Sequence, residues 1–307
     1  MADRKQFRLG LVGYGEIGST LGKGLREAGL QQIFSYDKYA FDGPYAELIQ
    51  GRAKAAGVTL VRSNKELADA AELIFSVTPG SASLESAEAF APVLDGRHTF
   101  LDFASATPKV KYGVAERLGG TGALLGDGSI MGTPKNGYSM HMLSSGPAGQ
   151  RVVDLLVPWG MSIEYVGEKL GTASGIKILR SVLIKGIEAL TDEMLLAARS
   201  YGLDEAVLAS ASKTLTRPFM DTVESLTPSG VIHAKRRSEE VEMAAEAVQD
   251  AGIEPVMTRA TAARLLWKEA LGLKEHFKGV VPENHKVAID AIAARMRAGA
   301  DKPEAAE

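Results

Sequence analysis

Short apolar runs alternate with amphipathic stretches through the first half of the chain. Runs at 7–12, 32–36, 58–61, 73–77, 99–103, 124–127, 141–144 and 163–166 have the length and apolar content of buried strands. Between them, 17–28, 45–56, 65–71, 108–118 and 149–156 set apolar residues at helical spacing. Strand followed by helix at this rhythm predicts βαβ units and a doubly wound, mainly parallel sheet. After residue 166 the strand signals stop. One helical pattern runs from 173 to 200 without proline, and amphipathic stretches follow at 204–215, 234–250 and 258–270. The expected organisation is an α/β domain over 1–168 and an all-α domain over 169–298. A disordered tail of small and charged residues is expected at 299–307.

Composition removes several classes of partner. A chain of 307 residues can bury two cores without staples. Its 45% hydrophobic and 24% charged content is that of an ordinary globular protein. Lys and Arg total 35 against 38 Asp and Glu, a net charge of -3, so charge gives no reason to expect nucleic acid or an anionic membrane. No stretch approaches the roughly 18 apolar residues of a membrane span, and residues 1–6 lead into no signal core. Without cysteine, disulfides, thiolate metal sites and cysteine nucleophiles are excluded, and no histidine spacing suggests a metal. A cytoplasmic location fits best.

Glycine is in surplus at 33 residues, and its placement is informative. Gly13-Tyr14-Gly15-Glu16-Ile17-Gly18 follows the first expected strand and opens the first helix. In that setting Gly13 permits the turn, Gly15 admits a pyrophosphate to the backbone, and Gly18 lets helix pack on strand. The helix N-terminus adds free N–H donors. Asp37 ends the second strand, where a carboxylate accepts hydrogen bonds from an adenosine ribose and repels a 2′-phosphate. NAD is thus favoured over NADP, although the adjacent Lys38 could neutralise a phosphate. Asp37 could also serve as a plain strand-end turn residue.

With these residues in place, the chain resembles the β-hydroxyacid dehydrogenase superfamily, which includes 3-hydroxyisobutyrate and 6-phosphogluconate dehydrogenases. Its second half looks like a little-characterised bacterial subgroup described as phosphogluconate dehydrogenase-like. The resemblance implies a Rossmann-type domain, a helical substrate domain, and a homodimer formed through the C-terminal helices. Thr78-Pro79 matches a loop bordering the nicotinamide end of the cofactor. In the segment from Asp102 to Pro108, Ser105 keeps the hydroxyl that holds a substrate carboxylate, while Ala104 stands where a polar residue is usual. Thr107 and Pro108 also read as a plain helix start. Asp127 and Gly132 match a substrate-binding segment in which Met131 and Thr133 replace a serine and a glycine, pointing to a larger or less polar ligand.

Lys177 resembles the family lysine that acts as general acid/base on a glycine-led helix between the domains. Oxidation of an alcohol needs an acceptor for the hydroxyl proton, and reduction needs it returned. At helical spacing Lys177, Ser181, Ile184 and Glu188 share a face, with Ser181 where the family usually has asparagine. Lys177 could otherwise snorkel from a buried helix. Arg180 and Lys185 add positive charge suited to an anionic substrate, or are solvated helix charges. His233 with Arg236 or Arg237 could clamp a substrate anion on a later helix, where the family's Lys-Asp pair is replaced by Glu239-Glu240. A solvated pair between Arg236 and Glu240 is the plainer alternative.

The expected activity is an NAD-dependent dehydrogenation of a 3-hydroxy acid-like small anion, with Lys177 exchanging the proton. Imine reduction is one alternative. A non-catalytic NAD-binding sensor or scaffold is the other.

Overall fold

The computed structural model describes residues 5–300. Of the expected tail, Gly299 and Ala300 close the last helix, and 301–307 lie outside the described residues.

The strands are β1 (Arg8–Val12), β2 (Gln32–Tyr36), β3 (Thr59–Val61), β4 (Leu73–Ser76), β5 (Thr99–Asp102), β6 (Leu124–Ile130), β7 (Met142–Ser145) and β8 (Ile163–Tyr165). They form one sheet in the order β3-β2-β1-β4-β5-β6-β7-β8. Every neighbouring pair is parallel except β6 with β7. The helices threaded between them are α1 (Glu16–Glu27), α2 (Ala46–Ala56), α3 (Asn64–Ala70), α4 (Ser83–Phe90), α5 (Pro108–Leu118) and α6 (Gly149–Leu156).

Period-two alternation along the strands explains why helices cover both faces. Leu9, Leu11, Leu73, Phe75, Leu101 and Phe103 point to one side, where Leu21 and Leu25 of α1, Ile49 of α2 and Val152 of α6 close over them. Val12, Ile74 and Phe100 point to the other, against Leu67 of α3, Phe90 of α4 and Val114 and Leu118 of α5. Strand ends toward the start of α1 and α5 therefore carry the loops free for chemistry, as is general for open parallel sheets.

After β8 the chain is helical: α7 (Thr172–Ser200), α8 (Asp204–Leu215), α9 (Phe219–Ile232), α10 (Ala234–Asp250), α11 (Val256–Glu269), α12 (Leu273–His276) and α13 (His285–Ala300). The fold is thus the α/β Rossmann-type sheet followed by an all-α region that the pattern predicts.

Two compact units divide at Val182 and Leu183, inside α7 rather than ahead of it. The first turns of that helix are tied to the sheet. Ala173 is fully buried and its N–H donates to Ser145 Oγ at 3.1 Å, and Ser174 is hydrogen-bonded to Asp127. In the second unit Val231, Ile232, Leu273, Ala288 and Ile292 form the buried core. Glu193 caps the start of α11, accepting from the N–H groups of Met257 and Thr258 at 2.8 and 2.9 Å. Those bonds hold its carboxyl below the usual range despite burial.

Candidate active site

The turn from β1 into α1 has the geometry its glycines predict. Gly13 adopts φ +96, which only glycine takes without strain, and its N–H donates to Tyr36 O at 2.7 Å. Gly15 begins α1 with no side-chain cap, and a Cβ there would meet nothing within 4 Å. That open backbone leaves the helix N-terminal donors accessible to an anion. At Gly18 a Cβ would fall 2.2 Å from Gly13 O. We therefore expect Gly18→Ala to lift α1 from β1 at a cost of about 1–3 kcal/mol, read as a lower midpoint in thermal unfolding.

A cleft of about 820 Å³ opens over this turn, lined by Gly13, Gly15, Glu16, Ile17, Asp37, Thr78 and Pro79 among others. Seven of the expected cofactor residues are thus brought to one place. Gly18 acts underneath, as packing. Tyr14 corrects the expectation: its side chain is fully buried, and burial pushes its hydroxyl up to about 12. It is not among the residues lining the cleft, and its N–H donates to Asp37 Oδ2 at 2.8 Å. Asp37 Oδ1 accepts from the N–H of Tyr39 at 2.9 Å, so the carboxylate is fixed at the cleft wall.

The residues fit a dinucleotide on independent grounds. Asn64 Oδ1 and Ser86 Oγ, both on residues of the cleft wall, are buried without a hydrogen-bond partner. Orphaned polar atoms beside an open glycine turn suit a ligand rich in hydroxyls and phosphate. Lys38 and Arg52 line the same cleft. The pattern reading missed Asn64, Ser86 and Arg52, because each lies in a helix with no motif of its own.

The loops after β4 and β5 converge. A Cβ on Gly80 would lie 1.9 Å from Ser105 O, so the chain after Thr78-Pro79 rests directly on the Ser105 loop. Ser105 is exposed there, and Lys177 Nζ donates to its Oγ at 2.6 Å. Lys177 is half-buried. Burial, and then repulsion from Lys111, hold its amine below the usual lysine value. The two residues expected to do the chemistry are therefore in contact, although 72 positions separate them.

The other expected residues have the following settings. Ser181 Oγ donates to Lys177 O at 2.9 Å, so its hydroxyl serves the helix backbone instead of the amine. Arg180 is exposed on α7. Met131 and Gly132 follow β6, with their N–H groups donating to His141 O at 2.8 and 3.2 Å. His233 is exposed at the start of α10, and Arg236 is paired with Glu240 one turn on, which is the plainer of its two expected roles. Asp127 lies in β6, which continues to Ile130. It is buried, and it accepts from Ser174 N–H at 2.9 Å and Ser174 Oγ at 2.5 Å.

Comparison with known proteins bears on the fold. Residues 198–267 match a domain of unknown function, DUF1932. An uncharacterised 28.5 kDa protein of Methanothermus fervidus is 27% identical over 255 residues, 83% of this chain and 96% of that one. A solved conserved protein of unknown function, described as structurally similar to 3-hydroxyacid dehydrogenases, is 27% identical with a TM-score of 0.57, covering 86% of this chain and 98% of its own. A reductive aminase from Aspergillus terreus, solved with NADPH and ethyl levulinate, has a TM-score of 0.70 at 19% identity, covering 94% and 100%. By fold and element order, the chain is similar to 3-hydroxyacid dehydrogenase-like Rossmann proteins.

Proposed function

We propose that the chain is a nicotinamide-dependent oxidoreductase that interconverts a hydroxyl and a carbonyl on a small anionic substrate. The observation that carries this reading is the Lys177–Ser105 contact: a half-buried amine, biased toward its neutral form, 2.6 Å from an exposed hydroxyl. Gly13, Gly15 and Asp37 would hold the cofactor, which supplies a hydride acceptor or donor when bound. Lys177 takes the substrate hydroxyl proton in oxidation and returns it in reduction. Ser105 orients the substrate anion, and Arg180 adds positive charge on the same helix. A panel of 3-hydroxy acids with NAD⁺ or NADP⁺, followed by absorbance of the reduced cofactor, tests the reading. Tight cofactor binding with no turnover of any panel member would favour the sensor instead.

Resemblance to the reductive aminase supports a second reading on the same scaffold, in which Lys177 delivers its proton to nitrogen. Cyclic imines and ketone–amine pairs with reduced cofactor separate the two.

The fixed Asp37 carboxylate opposes a 2′-phosphate, so NADH is expected to bind more tightly than NADPH. Lys38 and Arg52 in the same cleft keep the margin small. Calorimetric titration of both cofactors checks this, and Asp37→Ala is expected to narrow the difference. Tighter binding of NADPH by the unaltered protein would reverse the assignment.

A homodimer belongs to the same proposal. Leu179, Val182, Leu183, Ile184 and Ile187 are exposed along α7, and α8 has no buried residue. An apolar face of this kind suits a second copy of the chain. Light scattering after size exclusion reads the mass, and a monomer at micromolar concentration counts against it.

A further inference from the structure

Beneath Ser105 and Lys177 lies a lysine that the proposed chemistry does not touch. Lys111, on α5, is 2% exposed. Its Nζ donates to Asp102 O and Ala104 O, each at 2.7 Å, and lies 3.0 Å from Asp102 Oδ2 and 3.6 Å from Asp127 Oδ1. Asp102 and Asp127 are themselves buried. An ammonium so deep persists only with compensating charge and acceptors, and this one has two carboxylates beside it and two carbonyls accepting from it, while Asp102 Oδ2 itself makes no hydrogen bond.

The acceptors belong to the segments that present the reacting pair. Asp102 O closes β5, and Ala104 O lies in the loop that carries Ser105. Asp127 anchors α7 through both the N–H and the hydroxyl of Ser174, one turn before Lys177. Lys111 is therefore the shared tie between the strand end bearing the hydroxyl and the helix bearing the amine.

We infer that Lys111 is a positioning residue, which locks the Ser105 loop to the Asp127–α7 junction and sets the electrostatic environment of Lys177. The inference rests on the proposed role of Lys177 and goes further, by assigning a buried residue on a different element. The charged groups at this junction are Lys111 from α5, Asp102 from β5 and Asp127 from β6. Of these Lys111 opposes the ammonium form of Lys177. Its removal frees the loop and takes away that repulsion, so the ammonium form of Lys177 gains.

Lys111→Met tests this by two readouts. Turnover on any substrate accepted by the unaltered protein is expected to fall about 100-fold, the scale of a misplacement near 1 Å. Independently of activity, NMR of isotope-labelled dimethyl-lysine, assigned with Lys177→Arg, is expected to show Lys177 titrating at higher pH in the variant. Should Lys111→Met not fold, Lys111→Gln removes the same charge while keeping a donor for the Asp102 and Ala104 carbonyls, and is expected to move the titration the same way. A folded variant in which Lys177 titrates as before, or in which turnover is unchanged, overturns the inference. If the unaltered protein turns over nothing, the function reading fails, while the titration still decides the role of Lys111.

Discussion

Replacing Lys177 by methionine is expected to lower turnover about 10²–10⁴-fold, the range over which positioned acid–base groups act, while cofactor affinity stays as it was. The two effects separate because Lys177 is not among the residues lining the cleft over the β1–α1 turn, which would bind the dinucleotide. Its Nζ contacts Ser105 on the next loop. Parallel cofactor titration and steady-state kinetics check the separation. A variant with normal turnover would remove the amine from the chemistry altogether.

The unaltered protein should also reveal the amine through pH. Burial first, and Lys111 second, lower the Lys177 value from that of free lysine. Alcohol oxidation uses the neutral amine, so kcat/KM should rise as pH climbs through the lowered value and then level. Carbonyl reduction uses the ammonium, so its rate should fall through the same interval. Opposite limbs meeting at a common pH below the ordinary lysine range identify one group working in both directions. A rising limb at the ordinary value would mean that the amine is solvated in the working enzyme.

Much of this arrangement can be read from residue types and spacing, and the exceptions have physical causes. The strands appear because sheet covered on both faces demands uninterrupted apolar runs such as Leu73-Ile74-Phe75. β6 runs to Ile130 although apolar pattern ends earlier, because antiparallel pairing with β7 carries Gly128 and Ser129 into the ladder. Helix α9 contains Pro228 and Gly230, which weaken any helical pattern. Its burial of Val231 and Ile232 in the second core outweighs that local preference. The glycine turn was legible because its chemistry is local. The Lys111–Asp102–Asp127 cluster was not, since it joins three separated segments. One signal did exist: Lys111 occupies the same stripe of α5 as Val114 and Leu118, where a charge requires a buried partner.

Gly80→Ala is the second substitution expected to have a large effect, although Gly80 bears no functional group. Its added Cβ would sit 1.9 Å from Ser105 O and 2.8 Å from Ser105 C, both backbone atoms that no rotamer change can clear. One of the two loops must move. The Ser105 loop is held from below by Lys111 at Asp102 O and Ala104 O, and from the side by Lys177 at Ser105 Oγ. Displacement therefore disturbs either the Lys177–Ser105 contact or the Thr78–Pro79 wall of the cleft. The first outcome reduces kcat by about 100-fold with cofactor affinity retained, and the second weakens cofactor binding as well. Stability should fall by about 1–3 kcal/mol in either case, the usual cost of overpacking. Kinetics, calorimetry and thermal unfolding on one preparation distinguish the outcomes. Wild-type values in all three would show that these loops do not bear on one another as the geometry requires.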